Sequence, residues 1–321
     1  MSTRILYIFG EKIHSAHKFE VLNAEIKPLT FNIFAMPTKP YQLVISEGFR
    51  PFFSGSIIKR VGLAKKHVNI LMGDFILTSI YYKKILPLAL FKMFISNCDG
   101  FITSSTFVAN LFTNIFCIRK DKVKVVNPRA NINQLLNLKR SMDLSKLNLL
   151  YLGHLTHLDG ADLLPEIFKN VRKDFPSLKF FVIGRGTLLS ELLKAGKSLN
   201  GFYVLGYRSY AYVEEVLRNC LIFVYPARMK AFGLPVMESM AAGLIPVVTE
   251  RTGAKDLVEL VNPDLIVQVD IDKIARKIIE VLGMPNRELI ELSEKARRVA
   301  FEAYKSAPQK FINAMKVFLK E

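Results

Sequence analysis

The chain has 321 residues and a mass of 36.5 kDa, and 50% of its residues are apolar while 23% are charged. This composition excludes a disordered or fibrous polypeptide and suits two globular domains of ordinary size. Three widely spaced cysteines exclude a disulfide framework and a cysteine-rich zinc site. The net charge of +17 is uneven, with 20 Lys and Arg against 8 Asp and Glu in residues 1–145, so the first half favours anionic partners such as lipid headgroups, nucleic acid or phosphorylated substrates.

The opening MSTRILYIFGEK lacks the charged-then-apolar layout of a secretory signal and reads as a first strand, Arg4–Phe9, ending at Gly10. A cytoplasmic location is the resulting expectation. Further strands are expected at Tyr41–Ser46, His67–Met72, Gly100–Ser104 and Lys122–Val126, with apolar-periodic helices between them. Two of the intervening segments, Arg50–His67 and Ile80–Asn97, mix aromatic and aliphatic residues with lysines. Each reads either as a buried helix with solvated lysines or as a helix lying on an anionic membrane surface, and Arg50–His67 has the stronger look of the second kind. The lysines keep both from reading as membrane spans. Lys139–Ser145 is polar and turn-like and is expected to link a first domain, residues 1–145, to a second, residues 146–304.

The second half alternates more regularly. Strands are expected at Leu149–Gly153, Leu178–Gly184, Phe202–Gly206, Leu221–Pro226, Ile245–Thr249 and Leu265–Val269, with helices at Ala161–Asp174, Thr187–Ala195, Tyr210–Arg218 and Val236–Ala242. Alternating strands and helices imply parallel sheets, hence an α/β protein of two Rossmann-like domains facing a cleft. Ligands of such sheets bind at the carboxyl ends of strands. Helices Ile271–Leu282, Arg287–Tyr304 and Pro308–Lys320 close the chain, with a break expected at Ser306-Ala307-Pro308.

The segment KAFGLPVMESMAAG, Lys230–Gly243, carries the most chemistry. It joins a strand end to a helix start through Gly233, which permits a sharp turn and a close approach to a ligand. Pro235 suits the first turn of a helix, and free N–H groups at such a terminus attract phosphate. Glu238, one turn inside, can accept hydroxyl hydrogen bonds. On spacing alone the segment is equally a well-packed corner between strand and helix.

This segment resembles the signature loop of family 4 glycosyltransferases, enzymes of the GT-B fold. Phe232, Gly233, Leu234, Pro235 and Glu238 match the family pattern, in which a first Glu stands where this chain has Lys230. YLGHLTHLDGADLL, Tyr151–Leu164, is similar to the first strand-loop-helix of the family's donor domain, and CDGFITSSTFVANLF, Cys98–Phe112, to a segment of its first domain. Where the family has Arg and Lys to neutralise the donor diphosphate, the chain has His154 and Asp159. Neither replaces its counterpart: His lacks the guanidinium fork, and Asp repels an anion.

The resemblance implies transfer of a sugar, with retention, from a nucleotide-sugar donor to an acceptor hydroxyl, without metal or cofactor. It also implies a last helix that crosses back, so that residues 305–321 pack on the first domain. Glu238 is expected to bind the donor ribose, and Phe232, Gly233, Leu234 and Gly253, followed by Ala254 and Asp256, to line the donor loops. Lys230, with Arg185, Arg208 and Arg228, is expected to take over the diphosphate, although ordinary surface cations would look the same. On the acceptor side stand Gly10, His14 and His17 after the first strand, and Gly73 and Asp74 in LMGDF, which follows a strand. His14 is a candidate base or phosphate partner. Asp74 is a candidate for orienting a hydroxyl, and otherwise a turn residue. The basic first domain suggests an acceptor sugar or lipid-linked sugar at the inner face of a membrane.

Two rival readings stand. Loss of the Arg, the Lys and the first Glu is what a non-catalytic relative with a decayed donor site would show. Charge alone would also suit a nucleic-acid-binding protein, but no recognition motif supports it. Metalloprotease, hydrolase-elbow, Walker and dinucleotide fingerprints are absent from the sequence.

Overall fold

A computed structural model describes residues 4–9, 25–28, 40–71, 74–130, 132–138 and 147–320. The expected linker Lys139–Ser145 therefore lies outside the described residues. The chain divides into two compact units, residues 1–129 with 306–321, and residues 130–305. Residues 130–138, which the sequence assigns to the first domain, belong to the second unit, because Ala130, Ile132, Leu135 and Leu138 join its core.

The first unit contains β1 (Ile5–Phe9), β2 (Glu25–Pro28), β3 (Tyr41–Glu47), α1 (Phe49–Arg60), β4 (Ala64–Leu71), α2 (Asp74–Tyr81), α3 (Ile85–Phe94), β5 (Gly100–Thr103), α4 (Thr106–Phe116) and β6 (Val123–Val125). Its sheet is parallel, in the order β2-β1-β3-β4-β5-β6. Successive side chains of a strand point to opposite faces. Ile5 and Tyr7 of β1 thus share one core with Leu43, Ile45, Val68 and Ile70, while Leu6 and Ile8 share another with Val44 and Ile58. Burial on both faces explains why these strands read as continuous apolar runs.

Helix α1 corrects the stronger membrane expectation. Phe52 and Ile58 are buried, and the Phe52 ring lies 4.5 Å from that of Phe91 and 5.9 Å from the His67 ring. This segment turns Phe52, Ile58, Ala64 and His67 into the core, while Arg50 and Val61 stay exposed. Helix α3 differs, being apolar on both sides. Phe91 turns inward to Phe112 and Phe116, whereas Ile85, Leu86, Leu90 and Met93 are exposed, Ile85 by 79% and Leu86 by 70%. No helix among the described residues is long and apolar enough to cross a membrane.

The second unit contains α5 (Asn133–Leu136), β7 (Asn148–His154), α6 (Leu164–Arg172), β8 (Phe180–Arg185), α7 (Leu189–Ser198), β9 (Phe202–Gly206), α8 (Tyr210–Arg218), β10 (Cys220–Tyr225), α9 (Leu234–Ala241), β11 (Ile245–Thr249), α10 (Lys255–Val261), β12 (Ile266–Val267), α11 (Ile271–Leu282) and α12 (Asn286–Lys320). Its parallel sheet runs β12-β11-β10-β7-β8-β9. The strand order reverses between β7 and β10, and such a switch point opens a crevice at the strand carboxyl ends.

Helix α12 is one element where the sequence predicts two, with Pro308 inside it. Proline costs a helix one N–H and crowds the preceding turn. Burial on both sides of it outweighs that cost: Leu289, Ala296 and Ala300 enter the core of the second unit, and Phe311, Met315 and Phe318 that of the first.

Candidate functional site

Three loops meet at the carboxyl end of the second sheet. The loop after β7 lies against the loop after β10 through Arg228 N–H and Met229 N–H, which donate to Leu158 O at 2.9 and 3.3 Å. Gly160 permits this approach. It adopts φ 73°, and a Cβ there would lie 2.0 Å from Pro226 O. The loop after β11 joins in register: Lys230 N–H donates to Arg251 O, Gly253 N–H to Lys230 O, and Ala254 N–H to Phe232 O, at 3.0, 3.0 and 2.7 Å. Thr249 Oγ1 donates to Ala227 O at 2.5 Å. These bonds fix the loops by main chain, so the side chains they carry have defined positions.

Gly233, with φ 94°, caps the start of α9, and Pro235 sits in that helix's first turn, as expected. Phe232 is 4% exposed and packs into the core, so it shapes the loop from behind. Leu234 is half-buried. Glu238 is half-buried on α9, and its carboxylate meets no hydrogen-bond or ion-pair partner among the described residues. Burial pushes its pKa up to about 6. A desolvated carboxylate without a partner is a costly group to keep, and such groups concentrate at binding sites.

The cations are arranged differently from a single cluster. Arg228 forks Asp162 through two bonds of 2.7 Å and also donates to His157 O at 2.6 Å. Burial opposes the Asp162 charge, but the Arg228 hydrogen bonds and charge outweigh it and hold that carboxyl below its usual range. Lys230 Nζ lies 3.2 Å from Asp159 Oδ1. Asp159 also accepts from Thr156 Oγ1 at 2.6 Å and from Tyr225 OH at 3.4 Å. Asp159, expected to repel a diphosphate, is thus neutralised by the lysine that stands in for the family's Glu.

His154 and Arg185 are register partners at the ends of β7 and β8, and both are exposed. Arg185 lies over the Tyr207 ring at 5.8 Å, and Arg208 over Tyr212 at 5.5 Å. The structure brings together Lys230, Phe232, Gly233, Glu238 and Gly253 as one loop assembly, with His154 and Arg185 paired on the β7–β8 side. Asp256 opens α10 in its first turn. Gly10, His14, His17 and Gly73 lie outside the described residues, and Asp74 is described only as the first residue of α2.

Sequence reasoning missed the two ion pairs because their members are distant in the chain. It also missed Glu47, a carboxylate 4% exposed at the end of β3 that accepts from Tyr7 OH. A Glu directly after the expected strand Tyr41–Ser46 was the available signal.

The profile of the family described as "Glycosyl transferases group 1" matches residues 139–303, just over half of the chain. The chain belongs to this family. A 2-deoxystreptamine N-acetyl-D-glucosaminyltransferase of Niallia circulans is 27% identical over 117 residues, which cover 36% of this chain and 30% of that protein. The matches span from 30% to 59% of the length of the curated relatives. Among solved structures, a glycosyltransferase from Rickettsia africae aligns over 99% of both chains with a TM-score of 0.69 and 13% identity. An Anabaena protein crystallised with UDP and glucose aligns over 86% of this chain and 78% of its own, with a TM-score of 0.65 and 16% identity. These likenesses establish the GT-B fold.

Proposed function

We propose that the protein transfers a sugar, with retention and without metal, from a nucleotide-sugar donor to an acceptor hydroxyl. The observation that carries this reading is the signature loop at the switch point of the second sheet, with Glu238 unpartnered beside it. The donor diphosphate sits at the amino end of α9, where main-chain N–H groups and the helix dipole favour an anion. Glu238 accepts from the ribose hydroxyls, and the ligand thereby supplies the partner that the carboxylate lacks. Arg185, in register with His154, adds positive charge as the leaving group departs, and His154 can donate a hydrogen bond. The UDP bound by the Anabaena protein makes uridine the first base to test.

The test is a thermal-shift and titration panel of UDP, GDP and ADP with their common sugar conjugates. Saturable stabilisation by one nucleotide, lost in Glu238→Ala, is expected. If the folded protein responds to none of them, the donor site is decayed and the non-catalytic reading replaces this one.

The acceptor reading is a lipid-linked sugar at the inner face of a membrane. The exposed apolar side of α3 supports it. Residues 75–98 carry Lys83, Lys84 and Lys92 and no acid, so this side offers both apolar area and positive charge.

A further inference from the structure

The loops after β7 and β10 are joined by two acid–base pairs, in which the first loop gives both acids and the second both bases. Lys230 Nζ lies 3.2 Å from Asp159 Oδ1, and Arg228 forks Asp162 through two bonds of 2.7 Å. The four side chains are between 4% and 23% exposed, so salt and water screen these pairs less than surface ones. Asp159 is itself anchored, accepting from Thr156 Oγ1 at 2.6 Å and from Tyr225 OH, at the end of β10, at 3.4 Å. Asp162 Oδ1 also lies 3.3 Å from His157 Nδ1. The main chain runs alongside, with Arg228 N–H and Met229 N–H donating to Leu158 O.

The second loop runs from Pro226 to Gly233 straight into the amino end of α9. Whatever fixes Arg228 and Lys230 therefore helps to fix the main-chain N–H groups that start that helix. Such groups bind an anion best when they need no reordering on its arrival. The sequence places Arg228 and Lys230 among the cations for the diphosphate, but in the structure both are engaged by carboxylates. An ammonium held at 3.2 Å by a buried carboxylate must give up that contact before it serves another anion, and the carboxylate is then left buried and uncompensated. We infer that the two pairs form a double clasp that sets the position of the signature loop, and that Lys230 governs donor binding through Asp159 rather than by touching the diphosphate. Lys230 and Arg228 are then positioning residues. This rests on the donor-site reading above and assigns the role of its two loop cations.

The experiment measures UDP affinity in the natural protein, in Asp159→Asn, and in Asp159→Asn combined with Lys230→Met, which removes both charges at similar volume, as buried ion pairs commonly tolerate. The two possible roles of Lys230 predict opposite signs. A clasp predicts that Asp159→Asn weakens UDP about tenfold, the worth of one charge-assisted hydrogen bond, and that adding Lys230→Met changes nothing further. A lysine that binds the diphosphate is instead released by Asp159→Asn, so UDP binds more tightly, and adding Lys230→Met removes the gain. Unchanged or tighter binding in Asp159→Asn overturns the inference and leaves the donor site standing. Arg228→Lys keeps the charge of the second pair but not its fork, and should weaken UDP to a similar degree; unchanged affinity overturns the clasp there. Hydrogen exchange of the ligand-free protein gives a readout that does not depend on UDP. The amides of Arg228, Met229 and Lys230 should exchange faster in the double variant while those of β10 stay protected, and equal protection of the three overturns the inference. If the natural protein binds none of UDP, GDP and ADP, the donor-site reading falls together with the part of Lys230 in binding, and the exchange result stands as the separate test of the clasp.

Discussion

Glu238 illustrates a conflict between stability and binding within one side chain. Its pKa, raised from 4.5 to about 6 by burial, means that the neutral form suits the folded protein. The sign follows from proton linkage. Stability associated with this group is fully present below pH 4.5 and is lost as pH rises through about 6. Above that range the ionised carboxylate costs the ligand-free protein about 2 kcal/mol. Glu238→Gln should therefore raise the melting temperature at pH 7.5 while weakening nucleotide binding; a lower melting temperature would show that the carboxylate is satisfied. Gly160 is constrained in the other direction, by backbone rather than charge. Gly160→Ala must open the contact with Pro226 O and place a side chain at positive φ, at a cost of roughly 3 kcal/mol. A chemical denaturation curve that matched the natural protein would count against that packing.

At the scale of elements, apolar runs bounded by turn residues made the strands of the second unit readable, along with the helix after Gly233. β2 escaped because Glu25–Pro28 has one strongly apolar residue, and its proline fits only an edge strand, which is where it lies. The break at Pro308 was expected from a local rule and overridden by packing on either side of it. The two lysine-rich segments look alike in composition, and only their place on the sheet tells them apart: α1 lies over strands β3 and β4, while α3 presents one apolar side to the core and another to solvent. The ion pairs of Asp159 and Asp162 were invisible for a related reason, since nothing in either loop announces the other. The outer side of α3 gives a direct test. Binding of the protein to anionic vesicles should weaken with salt and disappear in Ile85→Asp, Leu86→Asp, with the melting temperature held within a few degrees, because both side chains already face water. Retained binding would place the membrane contact elsewhere.

For the whole molecule, the two units carry buried titrating groups of opposite sign. His67 in the first unit is fully buried against Ser46 Oγ at 2.7 Å, and burial lowers its pKa from 6.5 to about 3. The unfolded chain takes up a proton there first, so this contribution is present above pH 6.5 and is lost as pH falls towards 3, by about 1.4 kcal/mol per pH unit. Glu238 acts in the second unit, where a fall from pH 6 to 4.5 is favourable. Acidification should therefore loosen the first unit before the second. Hydrogen exchange at pH 4.5 and 7 should show faster opening of β3 and β4 than of β10 and β11 at the lower pH, and His67→Gln should reduce the difference. Uniform exchange across both sheets would contradict it.

The same division bears on how the protein comes into being. The second unit is a continuous stretch, residues 130–305, whereas one face of the first sheet is covered by Phe311, Met315 and Phe318. During synthesis the first unit is made early yet cannot cover that face until residues beyond 305 have left the ribosome. The later unit is free to fold first, and meanwhile the nascent first sheet presents Ile5, Tyr7, Leu43, Ile45 and Val68 to whatever is near. That interval is the opening in which a chaperone would act.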